Sequence, residues 1–275
     1  MKQNNHFSFF LWLVVAFATA SCVLLFNNEL YGSITKEDGL VEFLGFFFLL
    51  FAGGYLIAAS FTRFIEKKRG VLGGIILLVL GLVFFLTAFE EISWGQRIFG
   101  FETPSDIVQI NNQSEFNFHN IDKNFFDRLV DHLTILFVMF STAMIFIKKP
   151  FVLGIKLPDT YITLSFALIP FYHQYSQIHI DFYYVLYIPI ALLIYRSFFK
   201  FNHKMFAAGL LTILITLLIF WLHTKYNHLF PAHNNSANEI RETLFALVCA
   251  FYAFTIYDDV RKDTFAYGFI DSSEY

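Results

Sequence analysis

Charged residues are scarce in this chain. Only 15% of its 275 residues are Asp, Glu, Lys or Arg, whereas 57% are hydrophobic and phenylalanine alone occurs 39 times. Soluble domains carry about 25% charged residues, so a soluble globular fold is excluded. A chain of this length cannot bury so much apolar surface in a core of its own. The expected solvent is therefore a lipid bilayer.

Cysteines and basic residues are also few. Cys22 and Cys249 each fall inside an apolar run, without a CxxC pair or zinc-ribbon spacing, which favours packing roles over a redox or metal framework. The net charge of −3 excludes a polybasic surface for nucleic acid. The sequence contains no Walker loop and no GxGxxG, GxSxG or HExxH motif. None of the sites that these motifs build is therefore indicated.

Eight apolar runs reach the length of a membrane crossing or come close to it. They lie at about 7–26, 41–61, 71–89, 133–147, 160–172, 182–199, 205–222 and 241–257. Runs this uniformly apolar do not alternate as barrel strands do, and backbone groups in hydrocarbon must bond internally, so helices are expected. The predicted fold is all-α, a polytopic integral membrane bundle of about eight transmembrane helices. The fourth and fifth runs are short and need flanking residues or a thin, wet surrounding to cross.

The Lys and Arg residues set the orientation of this bundle. Thirteen of them lie on one side, in the termini and the short connections, and six lie in the longer connections of the other side. The positive-inside rule therefore predicts that both termini are cytoplasmic. We expect residues 1–275 to form a single transmembrane domain with an exoplasmic insertion at about 90–132. Residues 1–21 are expected to stay attached, because the apolar run continues beyond the cleavage-like stretch that ends at Cys22.

Polar residues cluster on the predicted exoplasmic side, where seven of the nine histidines lie. The third apolar run ends in Glu90-Glu91-Ile92-Ser93-Trp94-Gly95-Gln96-Arg97. If the helix continues, Glu90, Trp94 and Arg97 share one face and Glu91 points about 100° away. A partly buried carboxylate here could act as a general base or bind a metal. The alternative is structural, with Trp94 as an interfacial anchor and Glu90–Arg97 as a helix cap.

Two further segments add acids, amides and an imidazole. Between Asn112 and Asn120 polar residues alternate with phenylalanines, so that Glu115 and His119 would face the same way in an extended strand. Such a face could hold a sugar, a head group or a metal, and the alternative is a solvated loop. Before the eighth run, Glu239 closes a Ser-x-x-Glu capping box, and Glu242 follows on the same helical face.

The run EEISWGQRIFGFETP at 90–104, continued by N-x-Q-S-E-F-N-F-H-N at 111–120, resembles a recurrent pattern in uncharacterised bacterial polytopic membrane proteins. The later Asn238-Glu239-x-x-Glu242 is similar to a second acidic element of those proteins. The resemblance implies no particular reaction. It implies that one set of residues acts together: Glu90, Glu91, Trp94, Gln96, Glu115, His119, Asn120, Glu239 and Glu242.

Our leading hypothesis is a multi-pass enzyme of the bacterial inner membrane, a hydrolase or transferase that takes a lipid or lipid-linked substrate from the outer leaflet. The predicted catalytic residues are Glu90, Glu91 and His119, and the predicted substrate-binding residues are Trp94, Gln96, Arg97 and Asn120. Glu115, Glu239 and Glu242 are the predicted ligands of a divalent metal ion, if one binds.

Two other functions stay open at this stage. A non-enzymatic assembly protein would use the 90–132 insertion to dock a membrane or periplasmic partner. A small-solute transporter is the other alternative. The apolar runs hold almost no ionisable residue at mid-depth, although ion-coupled transport normally needs such charges.

Overall fold

A computed structural model of the protein describes residues 2–35, 39–66, 71–108, 117, 123–172, 184–225 and 236–262. The elements follow in chain order: α1 (Lys2–Phe26), α2 (Asn28–Ile34), α3 (Leu40–Glu66), α4 (Val71–Glu91), α5 (Gln96–Phe99), α6 (Ser105–Val108), α7 (Lys123–Phe146), β1 (Phe151–Val152), β2 (Ile155–Lys156), α8 (Thr160–Leu168), α9 (Tyr187–Phe199), α10 (His203–Lys225) and α11 (Ser236–Arg261).

Each of the eight apolar runs forms a helix, and the predicted all-α bundle is confirmed. Six helices of the described residues, α1, α3, α4, α7, α10 and α11, are long and apolar enough to cross a bilayer. The chain is therefore a multi-pass membrane protein. The helices at Thr160–Phe171 and Tyr184–Phe199, which include single 3-10 turns, are shorter.

The two short runs have different explanations. The fourth run is part of the longer α7, whose apolar stretch Arg128–Phe146 has 19 residues and needs no thinning of the bilayer. The fifth run stays short, but all residues from Thr160 to Tyr172 are buried. Helix α8 contacts α1, α7, α9, α10 and α11, which shield it from lipid. Protein contacts therefore replace the wet surrounding that the sequence led us to expect.

Helices α3, α4 and α11 pack into one layer. A Cβ atom added to Gly53 of α3 would lie 2.8 Å from the carbonyl oxygen of Gly81 in α4, so only glycine permits this approach. On the other face of α3, Thr243 of α11 donates its hydroxyl to the carbonyl of Val41 at 2.8 Å. This layer carries the ends of α4 and α11, from which most of the described candidate site residues come.

Side-chain contacts divide the polar residues between two ends of the bundle. The acidic end comprises the described residues of 27–43, 90–131, 172 and 236–243, and the basic end comprises 2–6, 148–159, 196–204 and 258–262. At the basic end His6 pairs with Asp159, and Lys156 pairs with Asp259 at 2.7 Å. These pairs tie α1 and α11 to the segment between α7 and α8.

Candidate functional site

The backbone breaks sharply where α4 ends at the acidic end. The helix ends at Glu91, and Ser93, Trp94 and Gly95 follow with φ values of 46°, 58° and 74°. The left-handed region costs a non-glycine residue roughly 1–2 kcal/mol, so two such residues before a glycine store backbone strain. The helix therefore does not continue to Arg97, as a shared face would have required. Instead a tight turn reverses the chain into α5.

Side-chain hydrogen bonds hold this turn in place. The indole Nε1 of Trp94 donates to Glu90 Oε1 at 2.5 Å. The amide of Asn117 donates to the hydroxyl of Ser93 at 3.0 Å, and both side chains are buried. The structure thus brings Glu90 and Trp94 together, as predicted, although through the turn rather than through a helical face. Sequence reasoning missed the Ser93–Asn117 bond, because 24 residues separate the partners.

The two adjacent acids of α4 have different surroundings. Glu90 accepts the indole hydrogen bond of Trp94. Glu91 lies on the face of Ala88 and Phe84, three and seven positions back along the helix. Ala88 is fully buried in a cluster with Leu49 of α3 and Ala246 of α11, and Phe84 packs on the same cluster. Glu91 therefore extends the face of α4 that turns toward α11, whereas Glu90 is bound to the turn.

Gln96 and Arg97 open α5. The amide of Gln96 donates to the hydroxyl of Thr103 at 2.6 Å, which joins α5 to the segment before α6. The backbone of Arg97 is helical, and its side chain lies outside the described residues. Gln96 is therefore held half-buried beside the strained turn, and the substrate-binding roles of Gln96 and Arg97 stay predictions.

A buried ion pair that the sequence did not predict lies beside these elements. Arg241 of α11 is only 1% exposed, and its Nη1 contacts Asp131 Oδ2 of α7 at 3.1 Å. Its Nη2 contacts Glu242 Oε1 at 3.4 Å. A charge near the end of a membrane helix needs a partner, so Arg241 at the start of the eighth apolar run was the available signal.

The predicted metal ligands are only partly described. Glu239 lies in the first turn of α11, where a carboxylate is stabilised by the helix dipole, and Glu242 contacts Arg241. Among the residues that the structure describes, no three His, Cys, Asp or Glu side chains are grouped as a metal ion requires. Glu115, His119 and Asn120 lie outside the described residues, so the metal site and the catalytic role of His119 stay predictions.

An apolar cavity of about 510 Å³ leads toward this polar end. It is lined from α3, α4, α7, α8, α11 and the β-hairpin, and Thr134 of α7 and Phe245 of α11 are among its walls. Asp131 lies three residues before Thr134, and Arg241 lies four residues before Phe245. These spacings keep each pair on one helical face. The buried ion pair therefore lies one helical turn beyond the cavity.

No family model, curated protein or solved structure matches this chain. The family resemblance of its motif thus stays a prediction. What the site can do must be argued from its own geometry.

Proposed function

We propose that the chain is an enzyme of the bacterial inner membrane that acts at its exoplasmic end on a lipid or a lipid-linked substrate. The proposal includes eight crossings, with α8 and α9 as short ones, and both termini in the cytoplasm. Two facts support this orientation: the positive-inside count, and the division of the contacts between an acidic and a basic end.

The observation that carries the proposal is the position of the Arg241–Asp131 pair, one helical turn beyond Thr134 and Phe245 in the walls of the apolar cavity. The cavity could take the chain of a lipid, because its walls are almost entirely apolar side chains. A head group attached to that chain would then lie beside the Arg241–Asp131 pair. A site for a small soluble substrate would not need an apolar compartment of this size.

Within this proposal the described residues have distinct roles. Glu91 is the acid–base group, because it extends the face of α4 that carries the cavity residue Phe84. Glu90 positions Trp94, whose ring lies over Phe89 with centroids 6.1 Å apart. Arg241 contacts the head group or holds Asp131 and Glu242 in place for it. His119 and Asn120, which lie outside the described residues, keep their predicted catalytic and substrate-binding roles.

The lipid compartment is tested by blocking the cavity. Leu80 lines the cavity and is 43% exposed, so Leu80→Trp fills the space from its open side without overpacking the core. We expect lipid mass spectrometry of the protein in mild detergent to find one retained lipid species that this variant loses. Val79→Trp is the matched control, since Val79 is adjacent, 52% exposed and not a wall residue. Equal lipid retention in both variants would contradict the proposal.

The catalytic part is tested separately in the same samples. Glu91→Gln keeps the size of the side chain but removes its acid–base function, so this variant should retain lipid and accumulate the unprocessed substrate. Glu90→Gln keeps an oxygen acceptor for Trp94 and should leave the lipid profile close to that of the wild type. If Glu91→Gln retains the same lipid profile and full cellular function, then Glu91 is not the acid–base group.

The orientation has its own test. In a background with Cys22→Ala and Cys249→Ala, Ser105→Cys and Lys262→Cys place single thiols on exposed residues at opposite ends. A membrane-impermeant maleimide should label Ser105→Cys in spheroplasts and Lys262→Cys only after the membrane is opened. The reverse pattern would place the acidic end in the cytoplasm.

A further inference from the structure

Three cations at the basic end lie near one another, and none of them forms an ion pair with a residue that the structure describes. Arg196 and Lys200 are one turn apart at the end of α9. The guanidinium carbon of Arg196 lies 5.8 Å from the ring centroid of Phe146, the last residue of α7. Lys148 lies two residues after Phe146. Its backbone is left-handed, with a φ of 54°, and it closes the end of α7. The ends of α7 and α9 thus bring the three cations together.

The other cations at this end show what the cluster lacks. Lys156 contacts Asp259 at 2.7 Å, and Lys262 contacts Asp258 at 2.6 Å. Within the described part of the chain, no carboxylate lies within ion-pair distance of the Lys148–Arg196–Lys200 cluster. The cluster therefore offers positive charge to an anion from outside the protein.

Two properties of the cluster show that an anion would stabilise it. The Nη2 of Arg196 is buried and has no hydrogen-bond partner. Burial lowers the pKa of Lys200, and the nearby charges of Arg196 and Lys148 lower it further. An anion between these side chains would satisfy the guanidinium and offset the repulsion.

Aromatic side chains around the cluster indicate where that anion comes from. Phe198, Phe199 and Phe201 are exposed by 63%, 62% and 84%. Tyr195, one turn before Phe199 and 59% exposed, is of the residue type that lies at the boundary of hydrocarbon and head groups. The cations are thus at the depth of lipid phosphates, and their apolar surroundings suit acyl chains better than a soluble anion.

We propose that Lys148, Arg196 and Lys200 form a binding site for the phosphate of an anionic phospholipid, with its acyl chains against Phe198 and Phe199. Arg196 donates to the phosphate oxygens, and the two lysines contribute charge. Basic pockets between transmembrane helices bind anionic head groups in this way on the cytoplasmic side. This site is independent of the proposed enzyme activity, which lies at the opposite end.

The test measures binding of dioleoylphosphatidylglycerol and dioleoylphosphatidylcholine to the delipidated full chain by native mass spectrometry. The wild type should prefer phosphatidylglycerol, and this preference should weaken as the salt concentration rises. In the double variant Lys148→Gln/Lys200→Gln the affinity for phosphatidylglycerol should fall roughly fivefold for each cation removed. Both side chains are exposed, so the variant should keep the fold.

A matched double variant, Lys149→Gln/Lys262→Gln, removes the same charge from the same end and should bind phosphatidylglycerol as the wild type does. The proposal is overturned if the wild type binds both lipids equally, or if the two double variants lose affinity equally. Displacement of the lipid by inorganic phosphate at a similar concentration would also overturn it, because the site would then serve a soluble anion.

Discussion

Buried charges occur at both ends of the bundle, but they have different neighbours. At the basic end Asp159 pairs with His6 and accepts the backbone N–H groups of Tyr161 and Ile162, which caps α8. The His6–Asp159 pair therefore links α1 to the start of α8 and has a structural role. At the acidic end the Arg241–Asp131 pair lies one turn from an apolar cavity. The Lys156–Asp259 pair also lies beside the cavity, because Ile155 and Leu157, on either side of Lys156, are wall residues. A buried ion pair near the cavity therefore does not by itself mark a site, and the acidic pair differs in lying at the end that carries the strained turn.

Backbone strain allows the same comparison. At the basic end Lys148 and Phe201 are single left-handed residues that follow helix ends, and Leu153 precedes Gly154 in the turn of the hairpin. A single left-handed residue is an ordinary way to end a helix, and a left-handed pair such as Leu153 and Gly154 is an ordinary way to join two strands. At the acidic end the left-handed residues run without interruption from Ser93 to Gly95. An uninterrupted run has no such ordinary explanation and fits a turn that presents functional groups.

The largest expected effect comes from breaking the buried pair at the acidic end. Arg241→Met leaves the carboxylate of Asp131, which is 4% exposed, without its cation. We expect the free energy of unfolding to fall by about 3–5 kcal/mol, because an uncompensated buried charge is costly. Unfolding in mixed micelles of SDS and mild detergent measures this change.

The double variant Arg241→Met/Asp131→Leu should recover most of that loss, since it removes the whole pair. Lys156→Met, which leaves Asp259 at 4% exposure, is the corresponding break at the basic end and should cost a similar amount. Loss of lipid processing is expected only for the Arg241 variants, because the proposed head-group site lies at the acidic end. Equal loss of processing at both ends would mean that the acidic pair, like the basic one, serves stability alone.

The helices were predictable from the sequence. In hydrocarbon the backbone N–H and C=O groups must bond to one another, and apart from a closed barrel only a helix achieves this. Their lengths were harder to predict. Helix α7 begins at Lys123, about ten residues before its apolar run, because Asp131 pairs with Arg241 and can lie inside the helix. The burial of α8 depends on the five helices around it, and a hydropathy pattern does not contain this information.

The candidate site was predictable only where its contacts are local. Glu90 and Trp94 are four residues apart, and their contact survives the change from helix to turn. Arg241 and Asp131 are 110 residues apart, so only the packing of α7 against α11 brings them together. Gly95 indicated a left-handed residue at the end of the helix, because glycine is common there. The sequence did not indicate that Ser93 and Trp94 are also left-handed, because residues with a side chain rarely adopt that conformation.

The next effect concerns pH. The hydroxyls of Tyr31 and Tyr172 lie 3.5 Å apart and are fully buried at the acidic end. Burial raises the pKa of Tyr31, and burial raises that of Tyr172 to about 12. The folded state thus holds these protons more tightly than the unfolded state, so stability is present below pH 10 and is lost as the pH rises toward 12.

Each tyrosine should contribute a loss of roughly 1.4 kcal/mol per pH unit above pH 10. Unfolding between pH 8 and pH 12 measures it, and Tyr172→Phe should reduce the slope by about one proton. Thr35→Val removes a buried hydroxyl of the same end that does not titrate in this range, so it is the control and should leave the slope unchanged. An unchanged slope in Tyr172→Phe would show that this hydroxyl is not protected in solution.

A smaller effect is expected at the contact between Glu90 and Trp94. Glu90→Leu removes the acceptor of the indole N–H and should cost about 1–2 kcal/mol of stability, whereas Glu90→Gln keeps an oxygen acceptor and should cost less. The same unfolding assay compares the two variants. If Glu90→Leu is as stable as the wild type, the carboxylate does not hold the turn.

The smallest effect compares one strained residue from each end. Phe201→Gly relieves a left-handed backbone at an 84% exposed residue, so we expect a change within about 1 kcal/mol in either direction and no effect on bound lipid. Ser93→Gly relieves the same strain but removes the hydroxyl that accepts from Asn117. Its stability should also change little, because the two contributions oppose each other, while lipid processing should fall. If Ser93→Gly processes lipid as the wild type does, the turn at Ser93–Gly95 serves only to end α4. The left-handed residues of the two ends would then differ only in how many follow one another.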